Sequence, residues 1–195
     1  MSTSTIPIIL ASSSPRRREL LHALGLPFQV LTSDVDETTD PNRTPDEIVT
    51  ELALRKAREI ARKTDEGIVI GADTIVVLEQ TVLGKPRDEA DAFRMLSNLQ
   101  GREHTVFSGV AVIDAASGRE EVTFRSTRVR MRSMSEAEIR AYIATGEPMD
   151  KAGSYAIQGF GATLVEGIVG DYFTVVGLPL HATAELLARF GIRIF

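Results

Sequence analysis

Residues 68–78 read IVIGADTIVVL, an almost continuously apolar and β-branched run with one carboxylate, Asp73, near its centre. A run of this length without polar alternation is typical of a strand that is buried on both faces of a sheet. Glu79 and Gln80 follow the run and predict a turn toward a short strand at residues 82–83. We therefore expect a buried strand with a hairpin partner.

Strand and helix signals alternate along the rest of the chain. Further strands are predicted at residues 6–11, 28–31, 105–113, 121–131, 164–168 and 172–176. Helices are predicted to begin at capping or proline signals at Ser14, Thr44, Asp88, Ser135 and Pro179. This alternation predicts an α/β fold, and the hairpins make its sheet mixed. No repeat or long linker marks a boundary, so one domain or one two-lobed unit is expected.

The composition, with 43% hydrophobic and 25% charged residues among 195, is that of an ordinary globular protein. The absence of cysteine excludes disulfides, Cys-ligated zinc, iron–sulfur clusters and thiol nucleophiles. The formal net charge of -5 disfavours non-specific binding to nucleic acid or to a membrane surface, but local charge still permits a small anionic ligand. No apolar stretch is long enough for a membrane span and residues 1–5 lack a basic leader, so a cytoplasmic protein is expected.

Three consecutive arginines, Arg16, Arg17 and Arg18, fall in the first turn of a predicted helix, directly after a serine run at residues 12–14. The positive end of the helix dipole disfavours cations there, by a few tenths of a kcal/mol for each charge. With an anion bound, the same arrangement becomes a phosphate-binding site. The alternative is a solvated helix face with an ordinary serine cap.

Two charged residues fall where apolar residues are expected. Lys56 lies within the apolar stripe of its helix and either reaches water at the edge of that stripe or binds a ligand, whereas Arg55 is expected in solvent. An unpaired buried Asp73 would cost several kcal/mol, so it must meet a cation, a metal or a set of donors, unless it caps a neighbouring turn. Gly71, on the same strand face, is expected to leave open space beside it.

Polar loops supply further candidates. Three carboxylates follow the second strand and suit Mg²⁺ or Mn²⁺, unless they are only solvated: Asp34, Asp36 and Glu37. Lys85 lies in a loop that does not match a P-loop but could still deliver a point charge to a ligand. The segments at residues 150–153 and 157–159 each contain a glycine, which would let the backbone approach a ligand closely or would simply form a turn.

Several motifs occur together and in a fixed order. They are LASSSPRR at 10–17, the Asp36-Glu37 pair, Lys56, GADT at 71–74, GKPRD at 84–88, GEPMDKAG at 146–153 and IQG at 157–159. Together they resemble the Maf family of nucleoside triphosphate pyrophosphatases over nearly the whole chain. The resemblance implies a single domain over residues 1–195, a twisted mixed sheet flanked by helices, and two lobes with a central cleft, similar to inosine triphosphate pyrophosphatases. It also implies a possible homodimer.

Within that family, the GADT and DKAGxYxIQG patterns are similar to the branch that acts on dTTP and UTP. The resemblance implies catalytic roles for Asp73, Glu37 and Lys85, with Asp73 as the proton acceptor. It implies that Glu37 and Asp73 hold a divalent metal cation, Mg²⁺ or Mn²⁺. The implied phosphate contacts are Ser12, Arg16, Arg17, Lys56 and Lys85. The residues implied to set base preference are Arg16, Thr74 and Gln158.

The hypothesis is hydrolysis of dTTP, UTP and modified pyrimidine nucleotides between the α and β phosphates, which would remove them from the nucleotide pool. An arginine-rich helix start, lysines and a divalent ion would neutralise phosphate charge while a carboxylate activates water. Two alternatives stay open: a non-enzymatic, nucleotide-sensing regulator of cell division, and a phosphomonoesterase that releases orthophosphate. The expected partner is a small nucleoside triphosphate, with no membrane. A regulator that binds nucleic acid is the remaining variant of the non-enzymatic alternative, and the acidic net charge disfavours it.

Overall fold

A computed structural model describes residues 6–40 and 42–195 of the chain. The expectation about a leader concerns residues 1–5 and lies outside the described residues. None of the helices within the described ranges combines the length and the apolar character needed to span a bilayer.

The described residues contain a mixed seven-stranded sheet. Its strands are β1 (Ile8–Ala11), β2 (Phe28–Val30), β3 (Ile68–Leu78), β4 (Thr81–Leu83), β5 (Glu103–Asp114), β6 (Glu120–Met131) and β7 (Val165–Val169). The order is β2-β1-β3-β5-β6-β7, and β4 pairs with β3. Strand β1 is parallel to β2 and β3, whereas the pairs β3–β4 and β6–β7 are antiparallel. The predicted mixed α/β fold, with the long buried strand at 68–78, is confirmed.

Six helices lie among the strands of the described residues, and all but the fifth begin at the capping or proline signals that the sequence predicts. They are α1 (Pro15–Ala23), α2 (Pro45–Ala61), α3 (Glu89–Leu99), α4 (Glu136–Ala144), α5 (Tyr172–Val176) and α6 (Leu180–Arg189). Ser14 and Asp88 accept hydrogen bonds from backbone N–H groups of the first helical turn, and Thr44 and Ser135 form capping boxes. Short 3₁₀ turns follow α4 at Glu147–Asp150, Ala152–Ser154 and Gly159–Thr163.

The strand predicted at residues 172–176 is wrong, because this segment is helix α5. Its aromatic and β-branched residues favour a strand, but the preceding Asp171 acts as a helix cap. The Asp171 carboxylate accepts hydrogen bonds from the backbone N and the hydroxyl of Thr174, both at 2.7 Å. This local hydrogen bonding outweighs the strand propensity of the segment.

The chain divides into two compact units. The first comprises the described residues up to Asp73 together with Ser108–Arg125 and Gly177–Phe195. The second comprises Thr74–Phe107 and Ser126–Val176.

In the first unit, helix α2 packs closely on the sheet because glycines replace side chains at the contact. A Cβ at Gly71 would overlap the carbonyl oxygen of Ala53 and lie 2.8 Å from the backbone N of Ala57. The expectation that Gly71 leaves open space beside Asp73 is therefore wrong, since the backbone of α2 fills that space. Gly109 of β5 has the same role against Val49. These contacts bring the inward face of α2, which carries Lys56, against β3.

The second unit has its own apolar core. It is built from buried residues of β3, β4, α3, β5, β6 and α4, and Leu96, Val129 and Met131 are among its most enclosed side chains. Gly153, with φ of 69°, lies against this core, where a Cβ would be about 3.0 Å from both methyl groups of Val76. This packing fixes the polar segment that follows α4, which carries the predicted site residue Gln158.

Candidate active site

Asp73 and Lys56 form a buried ion pair in the first unit. The Lys56 ammonium lies 2.6 Å from Asp73 Oδ1, and the two residues are only 8% and 6% exposed. The sequence predicts that Asp73 meets a cation, a metal or a set of donors, and the structure shows a cation, the Lys56 ammonium. Lys56 does not reach out to bulk solvent. The pair forms because the close packing of α2 on β3 leaves these two polar side chains facing each other in an apolar interface.

A second carboxylate, Glu37, shares the same ammonium. Glu37 Oε1 lies 2.7 Å from Lys56 Nζ, and this carboxylate is the exposed member of the group. The loop that carries it is held by Arg55, whose guanidinium donates to the backbone carbonyls of Asp36 and Thr38 at 3.1 and 2.7 Å. The expectation that Arg55 is a simple solvent charge is therefore wrong. Its contacts position Glu37.

Two opposing effects act on the pKa of Asp73. Burial raises the pKa of Asp73, and the positive charges of Lys56 and Arg17 only partly offset this effect. The net result is a carboxyl group whose pKa is raised above its ordinary value, while it remains next to two cations. Such a group accepts a proton more readily than a solvated aspartate does.

The start of α1 brings a guanidinium toward this pair. Ser14 caps the helix, and Ser12, which is buried, accepts a hydrogen bond from the backbone N of Ser14 at 3.2 Å. Arg17 donates from Nε to the carbonyl of Gly177 at 2.8 Å, and it is attracted electrostatically to both Asp73 and Glu37. Burial lowers the pKa of Arg17, which is a further sign that the guanidinium is partly withdrawn from solvent. Arg16 is half-buried next to it.

The predicted three-carboxylate cluster does not form. Asp36 turns back on its own loop, where it accepts a hydrogen bond from the Thr38 backbone N at 2.8 Å. Hydrogen bonds from the side chain and from the backbone of Thr38 lower the pKa of Asp36. Within the described ranges, no group of three His, Asp or Glu residues is arranged to hold a metal ion. Glu37 and Asp73 do converge on one cation, the Lys56 ammonium, and carboxylate oxygens are the donors that Mg²⁺ and Mn²⁺ prefer. These two residues therefore fit a metal that takes few protein ligands and fills its other positions with water and phosphate oxygens.

The remaining predicted residues belong to the second unit. Thr74 follows Asp73 on β3 and is half-buried, and Gln158 is half-buried directly before the 3₁₀ turn at Gly159–Thr163. Lys85 is exposed in the loop between β4 and α3. That loop is anchored at Gly84, whose carbonyl accepts a hydrogen bond from the Gly153 backbone N at 3.0 Å.

Sequence reasoning missed two carboxylates of the second unit that hold the loops on which predicted residues lie. Asp91 accepts hydrogen bonds from the guanidinium of Arg94 and, at 3.2 Å, from the backbone N of Arg87; these contacts lower its pKa to about 2. Glu147 holds the loop after Gln158. Glu147 lies within the GEPMDKAG motif, which could have drawn attention to it, whereas Asp91 looks like an ordinary helix residue in the sequence.

Ser12, Arg16, Arg17, Glu37, Lys56 and Asp73 thus belong to one unit, and within it Arg17, Glu37 and Lys56 surround Asp73. Thr74, Lys85 and Gln158 belong to the other unit.

The chain is similar to known proteins over nearly its whole length. A family model described as Maf-like protein matches residues 7–190. A protein named dTTP/UTP pyrophosphatase from Pelotomaculum thermopropionicum is 54% identical over 187 residues, which are 96% of this chain and 98% of the relative. A protein of the same name from Desulforamulus reducens is 52% identical over 188 residues, again 96% of this chain and 98% of the relative.

One solved structure, of a HAM1 protein from Coxiella burnetii, resembles the chain with a TM-score of 0.53 over 83% of this chain and 81% of that one. At 15% identity this similarity concerns the fold alone, and it supports the expected fold class. The family match and the two close relatives show that the chain belongs to the Maf family.

Proposed function

We propose that the protein is a nucleoside triphosphate pyrophosphatase that hydrolyses dTTP and UTP to the monophosphate and pyrophosphate. The observation that carries the proposal is the buried Asp73 carboxylate, which has a raised pKa, lies 2.6 Å from Lys56 and is attracted to Arg17. A carboxylate in these surroundings suits a general base next to a polyanion. The names of the close relatives support the same substrates.

The cations of this site would bind the triphosphate. Arg16 and Arg17 lie at the positive end of α1, where a phosphate would find arginine donors and backbone N–H groups together. Ser12 would add a hydroxyl contact. The resemblance to the Maf family also implies a phosphate contact from the exposed Lys85. Phosphoryl transfer depends mainly on positioning and charge neutralisation, so these contacts would supply most of the rate enhancement.

Glu37 and Asp73 would hold a divalent cation, Mg²⁺ or Mn²⁺. When bound, this cation would neutralise phosphate charge and lower the pKa of a nearby water molecule. Lys56, whose ammonium lies between the two carboxylates, would add its positive charge to those that attract the triphosphate.

The chemical step would be attack of water on the α–β phosphoanhydride. Water forms the new P–O bond, the bridging P–O bond breaks, and pyrophosphate leaves. Asp73 takes the proton from the attacking water, and its raised pKa strengthens it as a base at neutral pH. Gln158, Thr74 and Arg16 would set the preference for thymine and uracil by hydrogen bonds to the base.

We also propose that residues 1–195 act as one catalytic domain, because a single family match covers most of both units. A homodimer and a cytoplasmic location, both expected from the sequence, stay predictions.

The test is incubation of the purified protein with Mg²⁺ and a panel of natural and modified triphosphates, with pyrophosphate and orthophosphate measured separately. The proposal expects stoichiometric pyrophosphate from dTTP and UTP and little orthophosphate. Release of orthophosphate alone would identify a phosphomonoesterase. Thermal stabilisation by nucleotide without its consumption would identify a sensor. Either result would overturn the proposal.

A further inference from the structure

The loop that carries Gln158 is held at both ends by two side chains, Tyr142 and Glu147. The Tyr142 hydroxyl accepts a hydrogen bond from the Ala156 backbone N at 3.2 Å and donates to Glu147 Oε1 at 2.8 Å. Glu147 also accepts from the backbone N of Phe160 at 2.9 Å and of Gly161 at 2.8 Å. Gln158 thus lies on a short bridge between two anchored points.

The backbone of this loop packs closely against the Tyr142 and Glu147 side chains. Gly159 has φ of +64°, and a Cβ there would overlap Oε2 of Glu147. A Cβ at Gly161 would lie 2.7 Å from the Tyr142 hydroxyl and would overlap the carbonyl of Ala156. Gly159 is required by its positive φ and by the Glu147 carboxylate, and Gly161 is required by the Ala156 carbonyl and the Tyr142 hydroxyl.

Glu147 is itself held in place. Its own carbonyl accepts a hydrogen bond from the Lys151 ammonium at 2.6 Å, within the 3₁₀ turn that follows α4. Burial alone would raise the pKa of Glu147, but the hydrogen bonds from Tyr142, Gly161 and Phe160 outweigh burial and lower it. A charged carboxylate that accepts three hydrogen bonds in a partly buried place is a strong constraint on the segment that donates them.

We infer that Glu147 is a positioning residue which, with Tyr142, fixes the orientation of Gln158 and thereby the choice of nucleotide base. The inference rests on the proposed function, in which Gln158 contacts the base. A site that hydrogen-bonds its substrate discriminates only if its donors and acceptors are held in place. A role in stability alone would weaken the fold without changing the order in which nucleotides are preferred.

The test compares Glu147→Gln and Tyr142→Phe with wild type. In Glu147→Gln, the new amide N–H₂ must face either the Phe160 N–H or the two donors at Oε1, so at least one anchor is lost. The matched control is Glu136→Gln, an exposed substitution on α4 that loses only an i,i+4 contact with Arg140. For each protein, kcat/KM is measured for dTTP, UTP, dCTP and dGTP, and the variants are repeated in a Gln158→Ala background.

We expect the preference for dTTP over dCTP to fall roughly tenfold in Glu147→Gln and in Tyr142→Phe, the effect of losing one well-placed hydrogen bond. The Glu136→Gln control should keep the wild-type preference. In the Gln158→Ala background, Glu147→Gln should change the preference by less than about twofold, because the residue through which it acts is gone.

An unchanged order and ratio of nucleotides in Glu147→Gln, or an equal effect with and without Gln158, would overturn the inference while leaving the pyrophosphatase activity established. A wild-type protein that releases no pyrophosphate from any of the four nucleotides would instead refute the proposed function. If Glu147→Gln does not fold, Tyr142→Phe decides the question, because it removes a single hydroxyl.

Discussion

Removal of the Lys56 ammonium should leave the buried charge of Asp73 without its hydrogen-bonded partner and only partly compensated, by Arg17. Both residues are less than one-tenth exposed, and Lys56 donates to Asp73 at 2.6 Å, so solvent cannot replace the lost partner. Breaking a buried pair by removing one member costs about 3–5 kcal/mol of unfolding free energy. In a protein of this size such a loss lowers Tm by roughly 10 °C. We expect Lys56→Met, which keeps the apolar stem, to show this loss near pH 8.

The loss should depend on pH in a defined direction. Burial raises the pKa of Asp73 in the folded protein above its value in the unfolded chain, and removal of the Lys56 charge raises it further. The folded variant then holds the Asp73 proton more tightly than the unfolded chain does. Its stability is therefore greatest below the unfolded pKa and is lost as pH rises through the folded pKa. Urea unfolding at pH 5.5 and pH 8 should show a smaller defect at the lower pH.

The matched control is the double variant Lys56→Met with Asp73→Asn, which removes both charges together. Because a neutral pair leaves no buried charge, it should recover more than half of the stability that Lys56→Met loses at pH 8. Two results together would refute this account of the pair. The loss of unfolding free energy in Lys56→Met would be equal at the two pH values, and the loss in the double variant would equal the sum of the losses in the two single variants.

Three further predictions concern other parts of the chain. Arg16→Ala should raise KM for dTTP about tenfold or more and weaken base preference, which steady-state kinetics with several nucleotides would measure; unchanged values would contradict a phosphate contact. Gly71→Ala should lower the urea-unfolding free energy by about 1–3 kcal/mol or more, whereas Gly84→Ala, where a Cβ meets nothing within 4 Å, should not. Burial lowers the pKa of His104 to about 4, so the unfolded chain binds the proton first. Between pH 7 and pH 5 the free energy of unfolding of wild type should therefore fall by about 2 kcal/mol more than that of His104→Gln. Parallel plots of unfolding free energy against pH for the two proteins would contradict this.

Much of the fold could be predicted because its signals are local. The strand at 68–78 and the helices capped by Ser14, Thr44, Asp88 and Ser135 depend on composition and capping residues that lie next to one another in the chain. The strand prediction for residues 172–176 was wrong because strand propensity competes there with a local helix cap, in which the Asp171 carboxylate accepts a hydrogen bond from the Thr174 backbone N.

The buried charges of the site could also be anticipated, but their partners could not. A lysine in an apolar stripe and an aspartate in an apolar strand each stand out in the sequence. Their pairing, however, depends on how α2 docks on β3. Gly71 permits that docking because the backbone of α2 packs directly against it. The contacts of Arg55 and Glu147 with backbone groups of distant loops leave no periodic pattern in the sequence. Their roles emerge only when the loops are in place.

The most direct measurement is the single-turnover rate of pyrophosphate release from dTTP, with enzyme in excess and Mg²⁺ present, for wild type and Asp73→Asn. If the Lys56-held carboxylate takes the proton from the attacking water, the rate should fall by roughly two to four orders of magnitude while nucleotide affinity stays close to wild type. The variant should stay folded, because Lys56 keeps Glu37 as a partner. A variant that binds dTTP normally and releases pyrophosphate at nearly the wild-type rate would contradict the account.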